Sequence, residues 1–450
     1  MIIKNLIYLS PHLILASLVV VLMLQASFYR GSHIAQSVTL AGLILTALAS
    51  VFFVPNETIM VTDLIRLQPS TTFFNLLVLL SCFTCVLLQK PFAQDSDEAQ
   101  DEFYILASLA TLGALVLITA NHAVTLVLGL ELMSLSLLVL IGYQRERTLS
   151  LEASLKFLIL SASATAFLLF GLALLYAASG SLLLPNLILP ANSHPELILL
   201  GKIGIIMVLV GLGFKLSLIP FHWWTPDVYQ GAPINTTLLL ATISKTAVFA
   251  FLLQLLAYPE GELSISLVAI LSLLAIVSMI GGNVLALQQT NLKRLFAYSA
   301  IAHMGYILVA AIIAVDMENT LAMEGSSYYL MAYVLASLVI FSVLTLLSRS
   351  ELDSDHENLE QVSGLFWHRP WLACALMLAT LSMAGMPLTI GFIGKFYLLS
   401  AALELSAWWL ISAMVVGSVI GIFYYLRVIF ALFEKAEGAF SSQPKLQKTW

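Results

Sequence analysis

Hydrophobic runs of about twenty residues recur along the whole chain and are separated by shorter polar segments. A helical run of about 20 apolar residues is long enough to cross the hydrocarbon core of a bilayer. We predict thirteen membrane spans, at roughly residues 6–26, 36–54, 71–90, 103–120, 121–142, 152–179, 197–219, 235–258, 263–286, 294–315, 326–348, 370–405 and 407–433. The pattern therefore predicts an all-α, polytopic transmembrane helix bundle.

The overall composition agrees with this pattern. Hydrophobic residues make up 60% of the 450 residues, charged residues only 10%, and the mean hydropathy is +0.99. A soluble protein of this length has too little interior to hide so much apolar surface, which excludes the soluble class. The first apolar run has no small-residue cleavage site after it, so we expect a retained span and not a removed signal.

The basic residues indicate how the spans are oriented. If the first span begins outside, only Lys4 and Arg66 of the nineteen basic residues lie in outside loops. Twelve others lie in inside loops or at an inside helix end, namely Arg30, Lys90, Arg145, Arg147, Lys293, Arg294, Arg349, Arg369, Arg427, Lys435, Lys445 and Lys448. The positive-inside rule then predicts an outside N-terminus and, with thirteen spans, a cytoplasmic C-terminus.

The remaining basic residues lie within predicted spans, where charges are costly and usually functional. They are Lys156, Lys202, Lys215, Lys245 and Lys395. Glu131 is the one acid deep in a span, and both Glu131 and Lys245 fall near the predicted bilayer midplane. Lys202 is close enough to a span end to extend its amine to the interface, and Lys156 is also near an end.

One span is interrupted beside Lys215. The stretch Gly211–Pro233 reads GLGFKLSLIPFHWWTPDVYQGAP, and Asp227 belongs to its polar part. Pro220 has no backbone N–H, so it leaves the carbonyl of Leu216 free and breaks the helix.

A second interrupted span lies near the end of the chain. Residues 370–405 form a run much longer than a bilayer needs, and its interior, SMAGMPLTIGFIGKFY, places Pro387 among glycines shortly before Lys395. Two proline-broken, lysine-bearing spans five spans apart predict two inverted five-helix repeats, at 101–260 and 261–435. A three-helix segment at 1–100 precedes them and a cytoplasmic tail at 436–450 follows. The alternative is that the prolines are packing kinks and the lysines pair structurally.

The buried charges suggest proton transfer. Burial disfavours a charged amine and a nearby carboxylate favours it, so a lysine whose partner moves can gain or lose a proton near neutral pH. Our hypothesis is that Glu131 is the counter-charge of Lys215, that Lys245 passes the proton along the membrane, and that Lys395 releases it to the outside.

Two histidines are candidate relays, and other chemistries have little support. His303 lies within a span and His222 lies beside the first break; a structural role is the alternative for both. The three cysteines cannot supply the four ligands that an iron–sulfur cluster usually needs. We find no metal-ligand or nucleotide-binding motif, so we expect no cofactor on this chain and no nucleic-acid partner.

Four segments carry a resemblance to a known family. GLELMSLSLLVLIGY, FKLSLIPFHWWTPDVYQGAP, LKRLFAYSAIAHMGYILVA and SMAGMPLTIGFIGKFYLL resemble the antiporter-like membrane subunits of respiratory complex I, over roughly residues 100–430. WTPDVYQGAP is similar to the N-type subunits, whereas M-type, L-type and Mrp antiporter relatives tend to have WLPDA there. Lys395 also suits the N-type better than the M-type, which has a glutamate at this position.

The resemblance implies a function and a setting. It places the family's key groups on Glu131, Lys215, Lys245 and Lys395, and implies proton translocation through internal water in a bacterial inner membrane. NADH, flavin, iron–sulfur clusters and quinone would then lie in other subunits of the complex. Bacterial N-type subunits generally have fourteen spans, one more than we predict here. A sodium/proton antiporter subunit and a non-pumping membrane scaffold remain as alternatives, and sodium dependence separates the first of them.

Overall fold

The computed structural model describes residues 7–55, 57–89, 101–187, 195–256, 258, 262–317, 320–348, 358–404 and 406–434. Almost all regular structure in these residues is helical. The helices are α1 Ser10–Phe28, α2 Ser32–Phe52, α3 Pro69–Leu88, α4 Asp101–Ile118, α5 Ala123–Ile141, α6 Thr148–Ser179, α7 Leu184–Leu187, α8 Pro195–Leu216, α9 Trp224–Gly231, α10 Ile234–Leu239, α11 Lys245–Leu256, α12 Glu262–Leu287, α13 Leu292–Met317, α14 Thr320–Ser348, α15 Leu365–His368, α16 Pro370–Ala384, α17 Ile390–Glu404 and α18 Trp408–Phe433.

The predicted helical membrane architecture is confirmed. Twelve helices in the described ranges are long and apolar enough to cross a membrane, and α10 and α11 together form one of them. The remaining predicted span, 370–405, is split into the half-helices α16 and α17. Several of the charges used for the orientation lie outside the described residues, as does the 436–450 tail, so the orientation stays a prediction; these charges are Lys4, Lys90, Arg349, Lys435, Lys445 and Lys448.

Glycines allow the first two spans of each predicted repeat to pack closely. A Cβ atom on Gly113 of α4 would lie 2.9 Å from the carbonyl oxygen of Gly129 of α5. Between α12 and α13, a Cβ atom on Gly305 would lie 2.9 Å from the carbonyl oxygen of Ala275. Helices in lipid gain packing energy from such close approaches, because no hydrophobic effect drives them together there. The same type of crossing therefore recurs at corresponding places in the two predicted halves.

The first break has the position that the sequence predicted. Helix α8 ends at Leu216, and Ser217 has a left-handed backbone with φ 64°. The N–H of Ile219 would bond the Lys215 carbonyl in a continuous helix, but here it donates to Ser278 Oγ at 3.0 Å. Pro220 has no N–H to give. The break therefore releases the Lys215 carbonyl from helical hydrogen bonding.

The second break separates α16 from α17. Gly385 ends α16 with φ 81° and donates its N–H to the Leu381 carbonyl at 3.1 Å, a helix ending that favours glycine. The N–H of Gly391, in the first turn of α17, donates to Ser382 Oγ at 3.1 Å. The start of one half-helix is therefore bonded to the end of the other.

Two local features were not predicted. Strands β1, Ile59–Thr62, and β2, Ile65–Leu67, form an antiparallel hairpin, and the N–H of Arg66 donates to the Thr119 carbonyl at 3.0 Å. The hairpin thereby packs over the end of α4. The span containing Lys245 also includes a π-helical turn, Leu240–Ser244, directly before that lysine. Such turns often mark functional positions in helices.

Candidate functional site

Lys215 is buried near the end of α8, with 4% of its surface exposed. Its amine donates to Ser134 Oγ of α5 at 2.6 Å and to Ser161 Oγ of α6 at 2.7 Å. It also lies 5.5 Å from the ring centroid of Phe157 and 5.8 Å from that of Phe214. A buried amine needs such partners, because an unpaired charge is costly in an apolar interior.

Glu131 lies in the middle of α5, on the same side of the bundle as Lys215. Both side chains line a pocket that Val127, Leu130, Ala164, Thr165, Leu168 and Gly211 complete. The Glu131 carboxylate accepts a hydrogen bond from Thr165 Oγ1 at 2.7 Å. Among the described residues, the ion pairs do not include one between Glu131 and Lys215. The counter-charge hypothesis therefore rests on a shared pocket, with direct contacts made to hydroxyls.

Lys245 is fully buried and lies at the first break. Its amine donates to the Lys215 carbonyl at 3.1 Å and also to Ser217 Oγ. Ser217 Oγ accepts a second hydrogen bond, from Thr225 Oγ1 at 2.6 Å. Lys245 thus binds the carbonyl that the break releases, and the backbone of Lys215 connects the two lysines.

The Lys395 amine likewise binds free backbone carbonyls, those at the second break. Its amine donates to the carbonyls of Ala384 at 3.0 Å and Met383 at 3.3 Å, the last residues of α16. The C-terminal end of a helix carries partial negative charge and favours a cation there. The amine also lies 5.0 Å from the ring centroid of Tyr306. Each broken span therefore has a buried lysine amine on its free carbonyls.

His303 lies in a buried polar network of the second half. Its ring nitrogens are hydrogen-bonded to the hydroxyls of Tyr329 at 2.7 Å and Tyr425 at 2.9 Å. The Tyr425 hydroxyl is also hydrogen-bonded to Ser299. Both ring nitrogens of this predicted relay are therefore engaged by groups that can carry protons.

Further polar groups connect this network with Lys395. Asn283 donates to the Tyr306 hydroxyl at 3.2 Å and accepts from the Tyr424 hydroxyl at 2.9 Å. The rings of Tyr424 and Tyr425 pack with centroids 4.3 Å apart. The His303 ring also lies 5.9 Å from the Tyr306 ring, so His303 and Lys395 both contact one tyrosine-rich cluster.

The second predicted relay, His222, has a different environment. Its ring centroid lies 5.0 Å from that of Trp223 and 6.5 Å from that of Tyr298. Burial lowers the pKa of this imidazole, against the opposing effect of a hydrogen bond with the Pro220 backbone. Apart from this hydrogen bond, the contacts of the imidazole found among the described residues are with aromatic rings, and none is with a lysine amine.

An ionic cluster forms between α6, α9 and α13, which the sequence analysis did not predict. Asp227 pairs with Lys156 at 2.8 Å and with Arg294 at 2.7 Å, and Lys156 also pairs with Glu152 at 2.7 Å. Burial raises the pKa of Asp227, but the hydrogen bonds from both cations outweigh it and keep this pKa below its ordinary value. The Asp227 carboxylate is therefore ionised at neutral pH, and its two ion pairs connect the two predicted halves.

Lys293 corrects one expectation. The sequence analysis assigned it to an inside loop, but only 1% of its surface is exposed, and its amine donates to the Ala232 carbonyl at 2.9 Å. Lys293 is the second residue of α13, and its hydrogen bond joins the first turn of this helix to Ala232, the residue that follows α9. Position at a span end therefore did not mean exposure to water.

The hydroxyl groups around the lysines were also missed. Ser134 lies three residues after Glu131 on α5, and Ser161 and Thr165 lie four residues apart on α6. These spacings place each pair on one helix face, which is a signal the sequence contains. Ser217 has no such spacing, since it lies in the break itself.

Comparisons with known proteins agree with this architecture. Residues 120–421 match a family model described as NADH:quinone oxidoreductase/Mrp antiporter, transmembrane. A chain of respiratory complex I from Thermus thermophilus, solved with bound aureothin, superposes with a TM-score of 0.81 at 34% identity, covering 94% of this chain and 90% of that one.

Two more distant structures share the fold. A chain of the archaeal membrane-bound sulfane sulfur reductase matches at 21% identity and TM-score 0.85, covering 97% of this chain and 89% of that one. A chain of the Mrp complex from Dietzia sp. matches at 19% identity and TM-score 0.84, covering 96% and 81%. With two broken spans, buried lysines on their free carbonyls and a family match over most of its length, the chain belongs to the NADH:quinone oxidoreductase/Mrp antiporter transmembrane family.

Proposed function

We propose that this chain is an N-type, proton-translocating membrane subunit of an NADH:quinone oxidoreductase. The observation that carries the proposal is the pair of breaks, each with a buried lysine amine on its released carbonyls. A site of this kind suits a proton carrier, because an amine can release its proton and still remain held by polar groups. The identity with a complex I chain, 34%, exceeds that with the sulfane sulfur reductase, 21%, and the Mrp complex, 19%.

In the first half, we assign three groups to the proton path. Lys215 holds a proton between two serine hydroxyls, and the pocket it shares with Glu131 lets the carboxylate stabilise the charged amine. Lys245 receives the proton next, since its amine lies on the Lys215 carbonyl. The gap between the two amines is bridged by water, for which Ser217 offers a hydroxyl.

In the second half, the path leads to Lys395. His303 and the tyrosine-rich cluster connect by hydrogen bonds and ring contacts to Tyr306, against which Lys395 packs. Lys395 releases the proton towards the outside. His222 has the weaker role of a peripheral relay beside the first break, supported by its hydrogen bond with the Pro220 backbone.

The proposal also assigns organisation and partners. Residues 101–260 and 261–435 act as the two inverted repeats, and 1–100 forms an N-terminal helical segment. Other membrane subunits of the complex pack against this chain, while NADH, flavin, iron–sulfur clusters and quinone react in further subunits. The chain lies in a bacterial inner membrane with its N-terminus outside. Chains of multisubunit membrane complexes among the structural matches support the assignment of membrane partners.

The main alternative is a sodium/proton antiporter subunit, which shares the fold. Such a subunit would also share the buried lysines, so the sodium dependence of transport, and not the presence of these amines, separates the two functions. Both carboxylates of the ionic cluster, Glu152 and Asp227, are paired with cations. The third possibility, a non-pumping scaffold, does not explain the buried amines, because buried charges are costly within a membrane and a scaffold does not require them.

Sodium dependence tests the proposal directly. We expect NADH-driven acidification of inverted membrane vesicles to have the same initial rate in potassium buffer without sodium as in sodium buffer, because protons are the only ions carried. A pH-sensitive dye measures the rate, and a sodium ionophore serves as the control for secondary gradients. Acidification that requires sodium would overturn the proton assignment in favour of the antiporter.

A further inference from the structure

The ionic cluster lines an open pocket on one end of the bundle. Eight residues surround a cavity of about 180 Å³, namely Leu149, Glu152, Ala153, Lys156, Asp227, Gln230, Gly231 and Arg294. The paired side chains are partly exposed, from 27% for Arg294 to 57% for Glu152. Charged, partly exposed walls hold water. We call this space the charged vestibule.

Helix α6 leads from the charged vestibule to Lys215. Ala153 lines the vestibule, and Ser161, eight residues later, accepts the hydrogen bond of the Lys215 amine. Positions four and eight residues apart lie on one face of a helix, about 6 Å apart per step. Phe157 occupies the intermediate step and is 3% exposed. Along α6, Phe157 therefore lies between the residue that lines the vestibule and the residue that binds the Lys215 amine.

Helix α9 also carries an aromatic residue between the charged vestibule and a buried lysine. Asp227 and Gly231 line the vestibule, while Trp224 at the start of α9 lies with its ring centroid 5.3 Å from the Lys245 amine. The Trp224 indole N–H donates to the Phe214 carbonyl at 2.9 Å, which fixes the ring at the end of α8. Both helices therefore place an aromatic residue between the charged vestibule and a buried lysine.

The two aromatic residues meet each other. The ring centroids of Phe157 and Trp224 are 5.2 Å apart in an edge-on arrangement, and neither side chain has more than 3% of its surface exposed. Their faces also contact the lysines, since the Lys215 amine lies 5.5 Å from the Phe157 ring and the Lys245 amine 5.3 Å from Trp224. The contact between the two rings therefore lies between the charged vestibule and the two lysine amines along both helices.

We propose that the charged vestibule is the aqueous access site for Lys215 and Lys245, and that the Phe157–Trp224 pair is the apolar gate that separates them. This proposal rests on the proposed proton-translocating function. Proton transfer from the charged vestibule to the lysine amines needs a chain of water molecules, and an apolar contact between the two interrupts that chain. Rotation of the Phe157 side chain about its χ angles opens the contact, whereas Trp224 is held by its hydrogen bond. The charges of the vestibule balance, two carboxylates against two cations, so it does not concentrate sodium ions.

Cysteine accessibility in the assembled complex tests the gate. A cysteine at Gln230 reports on the charged vestibule, and a cysteine at Ala164 reports on the far side of Phe157, since Ala164 lines the pocket with Lys215. A membrane-impermeant thiol reagent is applied to vesicles, with the parent protein as the background for its native cysteines. We expect rapid modification of Gln230→Cys and slow modification of Ala164→Cys.

Opening the gate should change the modification rate of Ala164→Cys and leave that of Gln230→Cys unchanged. Phe157→Ala is expected to raise the modification rate of Ala164→Cys about tenfold or more, because removing the ring joins the charged vestibule to the Lys215 amine and its serine hydroxyls, which offer polar partners to water. Phe167→Ala is the matched control on the same helix, since Phe167 is 48% exposed on the outer face of the bundle. Equal rates with and without Phe157→Ala, or an equal rise with Phe167→Ala, would overturn the gate.

A smaller substitution covers the case in which Phe157→Ala does not assemble. Phe157→Val keeps an apolar side chain but loses the ring, and we expect it to raise the Ala164→Cys rate as well, by a smaller factor. No rise in an assembled Phe157→Val complex contradicts the proposal. Thiol modification does not require pumping, so the gate can fail this test while proton translocation by the chain stands, and the reverse also holds.

Discussion

Replacing Lys245 by alanine is expected to reduce NADH-driven acidification by about tenfold or more, since positioned proton-transfer groups contribute about 10²- to 10⁴-fold to a rate. The change removes the amine that binds the Lys215 carbonyl at 3.1 Å and the Ser217 hydroxyl. It also leaves a buried carbonyl at the break without its donor, which costs about 1–3 kcal/mol of stability. Assembly of the complex is therefore checked by native gel before the acidification rate is compared.

Two further variants distinguish proton transfer by Lys245 from the hydrogen bonds that its amine makes at the break. Lys245→Arg keeps a cation on the same acceptors but does not release a proton at physiological pH, so we expect assembly without acidification. Thr246→Val is the matched control, because Thr246 is a fully buried neighbour on α11. We expect it to pump at the parent rate. Parent-like acidification by Lys245→Arg would show that Lys245 holds the break and carries no proton.

Gly391→Ala is expected to prevent the second break from forming in its present shape. A Cβ atom on Gly391 would overlap the carbonyl oxygen of Ser382 and lie 2.8 Å from its carbonyl carbon. Both are backbone atoms, so no side-chain movement relieves the overlap. Overpacking costs about 1–3 kcal/mol where neighbours can move, and a rigid contact gives a cost at or above that range. We expect a lower thermal unfolding midpoint of the purified complex and loss of acidification.

A second glycine provides the control for this substitution. A Cβ atom on Gly325 of α14 would lie 3.3 Å from Tyr397 Cβ, a side-chain contact that a small shift accommodates. Gly325→Ala should therefore leave the unfolding midpoint within a few degrees of the parent value. Parent-like stability of Gly391→Ala would mean that α16 and α17 are not packed as described.

The spans and breaks could be predicted because lipid imposes strict rules on sequence. A bilayer requires about twenty apolar residues per helix, so the runs themselves mark the spans. Pro220 and Pro387 each remove a backbone donor, and Gly385 permits the left-handed helix ending that α16 adopts. Buried lysines are rare enough in lipid that Lys215, Lys245 and Lys395 could be selected by elimination.

Contacts around the lysines could not be predicted in the same way. The sequence gives the depth of a residue in its span but not the rotation of the helix about its axis. We expected Glu131 to be the counter-charge of Lys215. They line one pocket, but the Glu131 carboxylate binds Thr165, and the Lys215 amine binds Ser134 and Ser161. Serine and threonine are common in spans, so their presence alone does not identify the few that face an amine.

Long-range polar contacts were missed for a related reason. Asp227 pairs with Lys156 and Arg294, which are 71 and 67 residues away in the chain. Only the folded arrangement of α6, α9 and α13 brings them together. The hairpin at Ile59–Leu67 was missed because its strands of four and three residues are too short for a clear alternating pattern.

The most direct test of the proton assignment is NADH-driven acidification of inverted vesicles carrying Lys215→Ala. Lys202→Ala on the same helix is the matched control, since Lys202 lies nearer the start of α8 and away from the break. With assembly of both variants verified, the account predicts that Lys215→Ala loses most of the acidification and that Lys202→Ala retains the parent rate. Unchanged acidification in an assembled Lys215→Ala complex would contradict the claim that this chain moves protons through Lys215.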